Sequence, residues 1–184
     1  MRVGNLDQIG KENMANLNEL DIAAPPGAFS TFDAEVLVPE VENIPEGGCY
    51  VEVGVDKGKS LYIARQVAKP SVKVCGVDLR EDPKVTGAIF TQGDSVEISK
   101  QFKDEIDVLF IDGDHSYEGC KRDIDAWYPF VKKDGVMLFH DGDESSPGVV
   151  RAVAEFVNTY EGTLKKWTIH KRTDKNTSMI SIEL

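Results

Sequence analysis

The chain predicts an α/β protein with a single doubly wound, mostly parallel sheet that closes on an antiparallel C-terminal hairpin. Three observations carry that expectation. Short apolar runs rich in Val and Ile, at Tyr50–Val55, Val72–Val77, Ala88–Phe90, Asp107–Ile111 and Val136–Phe139, are bounded by Gly or Asp, the pattern of buried parallel strands. Helix-period stretches lie between them, as parallel crossovers require. The last two strand-like runs, Leu164–His170 and Ser178–Leu184, are separated only by the polar turn KRTDKNT, which makes them a hairpin.

Taken in order, residues 1–30 are polar and Asn-rich and read as a loose arm or marginal helix, outside the central core. The segment AAPPG at Ala23–Gly27 breaks the chain, and 31–184 form the main domain. Phe32–Val41 reads as a short helix interrupted at Pro39, and IPEGG at Ile44–Gly48 is a turn. Ser60–Ala68 places Leu61, Ala64 and Val67 on one face. Tyr117–Val131 carries Cys120, Ile124, Trp127 and Val131 at four-three-four spacing, a core stripe rather than a cofactor contact. Pro147–Tyr160 opens with Ser146 as N-cap and Pro147 at the first helical position, and its valines and Phe156 make a broad buried face.

Composition narrows the function classes. A length of 184 residues suits one domain, and the net charge of -11 argues against a sequence-independent grip on nucleic acid or adhesion to anionic membranes. No apolar run reaches membrane-spanning length and the N-terminus lacks the apolar stretch of a signal peptide, so the expected location is cytoplasmic. The expected partner is a small molecule, with no nucleic acid and no membrane, and homo-oligomerisation is left open. Cys49, Cys75 and Cys120 contain no C-x-x-C pair and read as buried, reduced thiols.

Ligands of open α/β sheets bind beyond the carboxyl ends of the strands. There the strands deliver Glu52 with the turn Gly54–Gly58, then Asp78, Asp94 with Ser95, Asp112 with Asp114 and His115, and finally His140, Asp141 and Asp143. Crowded carboxylates need a cation, a metal ion or hydroxyl donors among them, not a polyphosphate. The turn VGVDKGKS is one residue short of a Walker loop, and a dinucleotide turn would need glycine where Asp56 stands. A looser G-x-x-x-G turn admits a nucleoside, with Asp78, 24 residues beyond Gly54, taking both ribose hydroxyls. Because Asp107–Asp112 is similar to a Walker B strand, a nucleotide hydrolase or kinase stays the alternative, beside a non-catalytic cofactor-binding protein.

The ordered set VEVG-VDKG, CGVD, QGDS, VLFID and C-terminal hairpin resembles the class I S-adenosylmethionine-dependent methyltransferases, from about Gly48 to the C-terminus. The segment FIDGDHSYEGCKRDIDAWYPFVKKDGVMLFHD further resembles the metal-dependent sugar O-methyltransferases (macrocin O-methyltransferase-like) and the cephalosporin-hydroxylase-like group. The resemblance implies a Rossmann-like fold and S-adenosylmethionine as cofactor. Gly54 and Gly58 would lie along its methionine part and Glu52 near its amino group. Asp78 would hold the ribose, and Asp94 and Ser95 would face the adenine. Ser60 and Asp112 complete the implied cofactor set. It also implies a divalent metal on Asp112, His140 and Asp141, with magnesium the default and manganese, iron or zinc favoured by the imidazole. Asp141 is the expected ligand and His140 a ligand or its support, since alternation along the strand turns one of the two away. Asp114 or His115 would take the proton of a sugar or catechol hydroxyl during O-methylation. His115 could equally cap the following helix, and Lys57 and Lys59 are expected to face solvent.

Overall fold

In the computed structural model, residues 16–172 and 177–184 are described. A helical segment over 16–23 precedes helix α1 (Thr31–Asn43). Then follow β1 (Cys49–Val53), α2 (Lys59–Val67), β2 (Lys73–Asp78), β3 (Ile89–Gln92), α3 (Ser95–Ser99), β4 (Ile106–Ile111), α4 (Tyr117–Trp127), β5 (Val131–His140), α5 (Pro147–Tyr160), β6 (Lys166–Arg172) and β7 (Thr177–Glu183). The strands form one sheet in the order β3-β2-β1-β4-β5-β7-β6. Strands β1 to β5 run parallel, and β7 inserts antiparallel between β5 and β6. The chain reverses its lateral progression between β3 and β4, so the crevice beside β1 and β4 is where such a sheet binds ligands.

Alternation along the strands splits the core into two layers. Tyr50, Val74, Val108, Phe110 and Leu138 face the layer of α1 and α2 with Leu37, Val41 and Leu61. Val51, Val53, Leu109, Ile111, Met137 and Phe139 face α4 and α5 with Ile124, Trp127, Val153 and Phe156. Strand β1 is buried throughout, which is why it reads as an apolar run broken by Glu52 alone.

Three local readings change. Helix α1 runs through Pro39, because one lost backbone bond is offset by burial of Leu37, Val38 and Val41. Helix α4 ends at Trp127 rather than Val131; Pro129 forces a turn of 3-10 helix, and Val131 already belongs to β5. The short helix α3 was not expected, although Asp94 caps it by accepting from Val96 and Glu97 N–H. Nor is all of the arm peripheral: Leu17 and Phe29 are buried in the α1–α2 layer. Residues 1–15 of that arm lie outside the described residues. Among the described residues, no helix is long and apolar enough to cross a membrane.

Candidate functional site

The glycine turn after β1 is built by backbone geometry. Gly54 has φ +88, and a Cβ there would collide with the backbone of Asp112 at the end of β4. Gly58 has φ +84, and a Cβ there would press on Pro83 and Val85. Gly58 therefore serves packing against the β2–β3 connection, whereas Gly54 lines the cavity beyond the strand ends. Asp78 ties the turn down. Its Oδ2 accepts from Val55 N–H at 2.7 Å and Asp56 N–H at 2.8 Å, and its Oδ1 accepts from Arg80 N–H at 2.8 Å. A carboxylate has about four acceptor positions, so about one is left for a ligand hydroxyl, not the pair expected.

That cavity, about 410 Å³, is lined by Gly54, Asp78, Asp94, Ser95, Asp112 and Asp114 among others. Its volume lies within the roughly 300–1,000 Å³ of small-molecule sites. Ser95 is fixed by a hydrogen bond from its hydroxyl to Asp123, which packs into the same wall. Asp114 lines this cavity and not the neighbouring one that holds His115 and His140. Its Oδ1 accepts Ser116 N–H at 2.8 Å, and that backbone hydrogen bond, with one from the Ser116 side chain, holds it below the usual carboxylate range. It is a poor base for that reason.

Glu52 does not line either cavity. It shares the α1–α2 face of β1 with Tyr50, wholly buried, and accepts from Tyr50 Oη–H at 2.7 Å and Ser60 Oγ–H at 2.6 Å. Burial pushes its carboxyl up to about 8, against the lowering effect of those two hydroxyls. The Glu52 proton is thus a core feature, and Ser60 is its hydrogen-bond partner as well as a cavity residue.

A second cavity of about 270 Å³ adjoins the first and shares Asp56, Arg80, Asp112 and Gly113 with it. Gly27, Ala28 and Phe29 of the arm form part of its wall, together with Lys57, Lys59, His115, His140 and Asp141. Lys59 does not face solvent: its Nζ is 2.7 Å from Asp21 and its side chain is largely buried. That ion pair pins the arm to the start of α2.

Here the expected metal and base residues meet. His140 Nδ1 lies 3.2 Å from Asp112 Oδ1 and 3.4 Å from Asp141 Oδ1. His115 bridges the same two carboxylates, Nε2 at 3.3 Å from Asp112 and Nδ1 at 3.3 Å from Asp141. Both His140 and Asp141 reach the cluster, contrary to simple alternation, because Asp141 has φ +54 and has left strand geometry. Ser116, not His115, caps helix α4. Asp33 of α1 is the residue that the sequence reading missed. It is fully buried, accepts from Ser30 N–H and Oγ–H at 2.7 Å each, and sits 3.4 Å from His140 Nε2. The pattern Ser30-x-x-Asp33 signals a capping box, but nothing local signals that the same carboxylate would reach the rim.

The electrostatics follow from burial and pairing. Burial alone would push His140 down; hydrogen bonding to Asp112, Asp141 and Asp33 outweighs it and pushes the imidazole up to about 12. Burial would raise Asp112, and His115 and His140 outweigh it and hold the carboxyl below its usual range. The Asp112 hydrogen bond raises His115 against burial. Two carboxylates and an imidazole are donors that a divalent ion accepts, and separations of 3.2–3.4 Å match neighbouring ligands on one ion. Among the described residues, however, no group of three such side chains is arranged as an ion site. The two imidazoles stand between the carboxylates, so the donor set fits an ion chemically once a proton leaves and the rings turn.

The profile of a family described as "Methyltransferase domain" matches residues 51–142, half of the chain. An uncharacterized protein of Acanthamoeba polyphaga mimivirus is 32% identical, with 59% of this chain and 58% of that protein covered; the match thus spans less than two thirds of the relative. An O-methyltransferase from Bacillus cereus, solved in complex with SAH, superposes with a TM-score of 0.68 at 11% identity, covering 94% of this chain and 91% of that one. CalS11, a TDP-rhamnose 3'-O-methyltransferase of calicheamicin biosynthesis, gives 0.60 at 16% identity over 94% and 93%. MycE of mycinamycin biosynthesis, solved with Mg and SAH, gives 0.67 at 16% identity over 97% of this chain and 61% of its own. At these identities the likeness is one of fold.

Proposed function

The chain belongs to this methyltransferase-domain family, and from that premise we propose that it transfers a methyl group from S-adenosylmethionine to a hydroxyl oxygen of a small acceptor such as a sugar or catechol. One observation carries the reading: two cavities meet at Asp112 and Gly113, and the one that is not walled by Asp78 and Asp94 holds both imidazoles of the rim. The cofactor belongs in the larger cavity, along Gly54, Asp78, Asp94 and Ser95. The acceptor belongs in the smaller one, with its hydroxyl toward His115, Asp112 and Asp141.

In-line transfer breaks the S–CH3 bond, forms the O–CH3 bond and leaves a neutral thioether, while the acceptor hydroxyl loses a proton. His115 is the group placed to take it. Its two ring nitrogens rest on Asp112 and Asp141, so the neutral ring turns one nitrogen from its carboxylate to the acceptor hydroxyl, and the two carboxylates stabilise the imidazolium it becomes. His140, paired with Asp33 through its other nitrogen, holds Asp112 and Asp141 from the other side, and Phe29 stacks on its ring and covers it from water. Asp112, His140 and Asp141 are the residues that would hold a divalent metal, which would lower the pKa of the acceptor hydroxyl.

Support for oxygen as the methylated atom comes from the O-methyltransferases among the structural neighbours and from the acid–imidazole cluster, which suits activation of a hydroxyl. Family membership favours methyl transfer over the nucleotide hydrolase or kinase reading. The test is transfer of labelled methyl from S-adenosylmethionine to a panel of catechols and sugars, with and without exhaustive chelation. Loss of transfer in His115→Ala, with cofactor binding retained, is the expected result. Full transfer by that variant would remove His115 from the reaction.

A further inference from the structure

The acceptor cavity is polarised by the order of the strands. Arg80 follows β2 and Lys57 follows β1, whereas Asp112 and His115 follow β4, His140 ends β5 and Asp141 follows it. With the strand order β2-β1-β4-β5, the cations enter from one flank and the acid–imidazole cluster from the other. This is not a consequence of composition, because the chain carries a net charge of -11.

The cations differ in availability. Lys59 is committed to Asp21 and fixes the arm. Arg80 pairs with Asp56, but the two side chains are 69% and 48% exposed, and a solvent-exposed pair of this kind is readily exchanged for a better partner. Lys57 is exposed, and among the described residues it makes no ion pair. A neutral acceptor seated over Lys57 would replace water on an ammonium group with uncharged hydroxyl oxygens at most, which gives no net gain. An acceptor bearing a carboxylate or phosphate would pair with it, and a guanidinium beside it offers a second, forked contact.

Resting on the methyl-transfer reading above, we propose that the acceptor is anionic: a small hydroxylated molecule whose oxyanion group is held by Lys57 and Arg80 while its hydroxyl lies against His115. The cavity of about 270 Å³ suits a single ring with its substituent.

The test uses the full chain loaded with S-adenosylhomocysteine and compares probe pairs that differ only in charge: 3,4-dihydroxybenzoate against catechol, and glucose 6-phosphate against glucose. Calorimetry is expected to show at least one anionic probe binding about tenfold or more tighter than its neutral counterpart, an advantage that shrinks with added salt. The two pairs separate carboxylate from phosphate as the preferred group. Lys57→Ala should remove most of that advantage and Lys57→Arg should keep it, with S-adenosylhomocysteine affinity the same in both. Equal binding within both pairs, or no binding by either anionic probe, would overturn the proposal. So would a Lys57→Ala variant that weakens S-adenosylhomocysteine instead, which would assign the cation to the cofactor carboxylate. Failure of S-adenosylhomocysteine to bind the parent protein would instead overturn the methyl-transfer reading.

Discussion

Replacing Glu52 with Gln isolates the energetic consequence of a buried acid beneath the site. Glu52 is 0% exposed, and burial raises its carboxyl from 4.5 to about 8. A raised folded-state value means that this group's contribution to stability is complete below the unfolded value and is lost as pH rises toward the folded one. Linkage over that interval gives a loss of about 4 kcal/mol at pH 7.5 but only about 1.5 kcal/mol at pH 5.5, taking one pKa unit as about 1.36 kcal/mol. Gln is isosteric and keeps an acceptor for one hydroxyl, while the other hydroxyl can turn to accept from the amide. Urea denaturation of parent and variant at the two pH values is the assay. The variant should gain on the parent by about 2.5 kcal/mol between pH 5.5 and 7.5. A stability difference that stays constant across that interval would refute the reasoning, because it would mean that Glu52 binds the same number of protons folded and unfolded. The same variant should bind S-adenosylhomocysteine with little change, since Glu52 lines neither cavity.

Other outcomes follow from the same geometry. Asp78→Ala should destabilise the fold by about 2–4 kcal/mol, from one partly buried amide left unpaired and two others returned to water, and should weaken S-adenosylhomocysteine as well; the urea midpoint and calorimetry read the two effects. Phe29→Ala removes a buried ring that packs on Phe110 and His140, and should cost about 3–5 kcal/mol in the same denaturation assay, so deleting residues 1–30 will not leave the domain intact. Titrating manganese at pH 7 should release about one proton per ion bound, because the ion displaces an imidazole proton, and Asp112→Asn or Asp141→Asn should abolish that release.

Much of this architecture was legible because buried parallel strands write themselves as short Val- and Ile-rich runs. The acid at each strand end was legible for the same reason: a strand that ends at the rim ends where polarity returns. What lay beyond reach depended on direction rather than position. Glu52 sits in the motif of a cofactor residue, yet it shares a strand face with Tyr50, and that spacing of two already places it under α2. Asp114 and His115 are neighbours of equal promise in the sequence, but a single turn sends Asp114 to the cofactor side and His115 between two carboxylates. Asp33 is legible as a helix cap and as nothing more, because its contact with His140 joins the first helix to the fifth strand. The paired reach of His140 and Asp141 depends on one left-handed residue, which Asp tolerates and which no hydrophobic pattern reveals.

The most direct measurement is calorimetric titration of the full chain with S-adenosylhomocysteine, ATP and NAD in parallel. The account predicts saturable binding of one S-adenosylhomocysteine per chain, weakened strongly by Gly54→Val, whose side chain would collide with the Asp112 backbone and spoil the turn that lines the cavity. Tight binding of ATP or NAD with none of S-adenosylhomocysteine would contradict it.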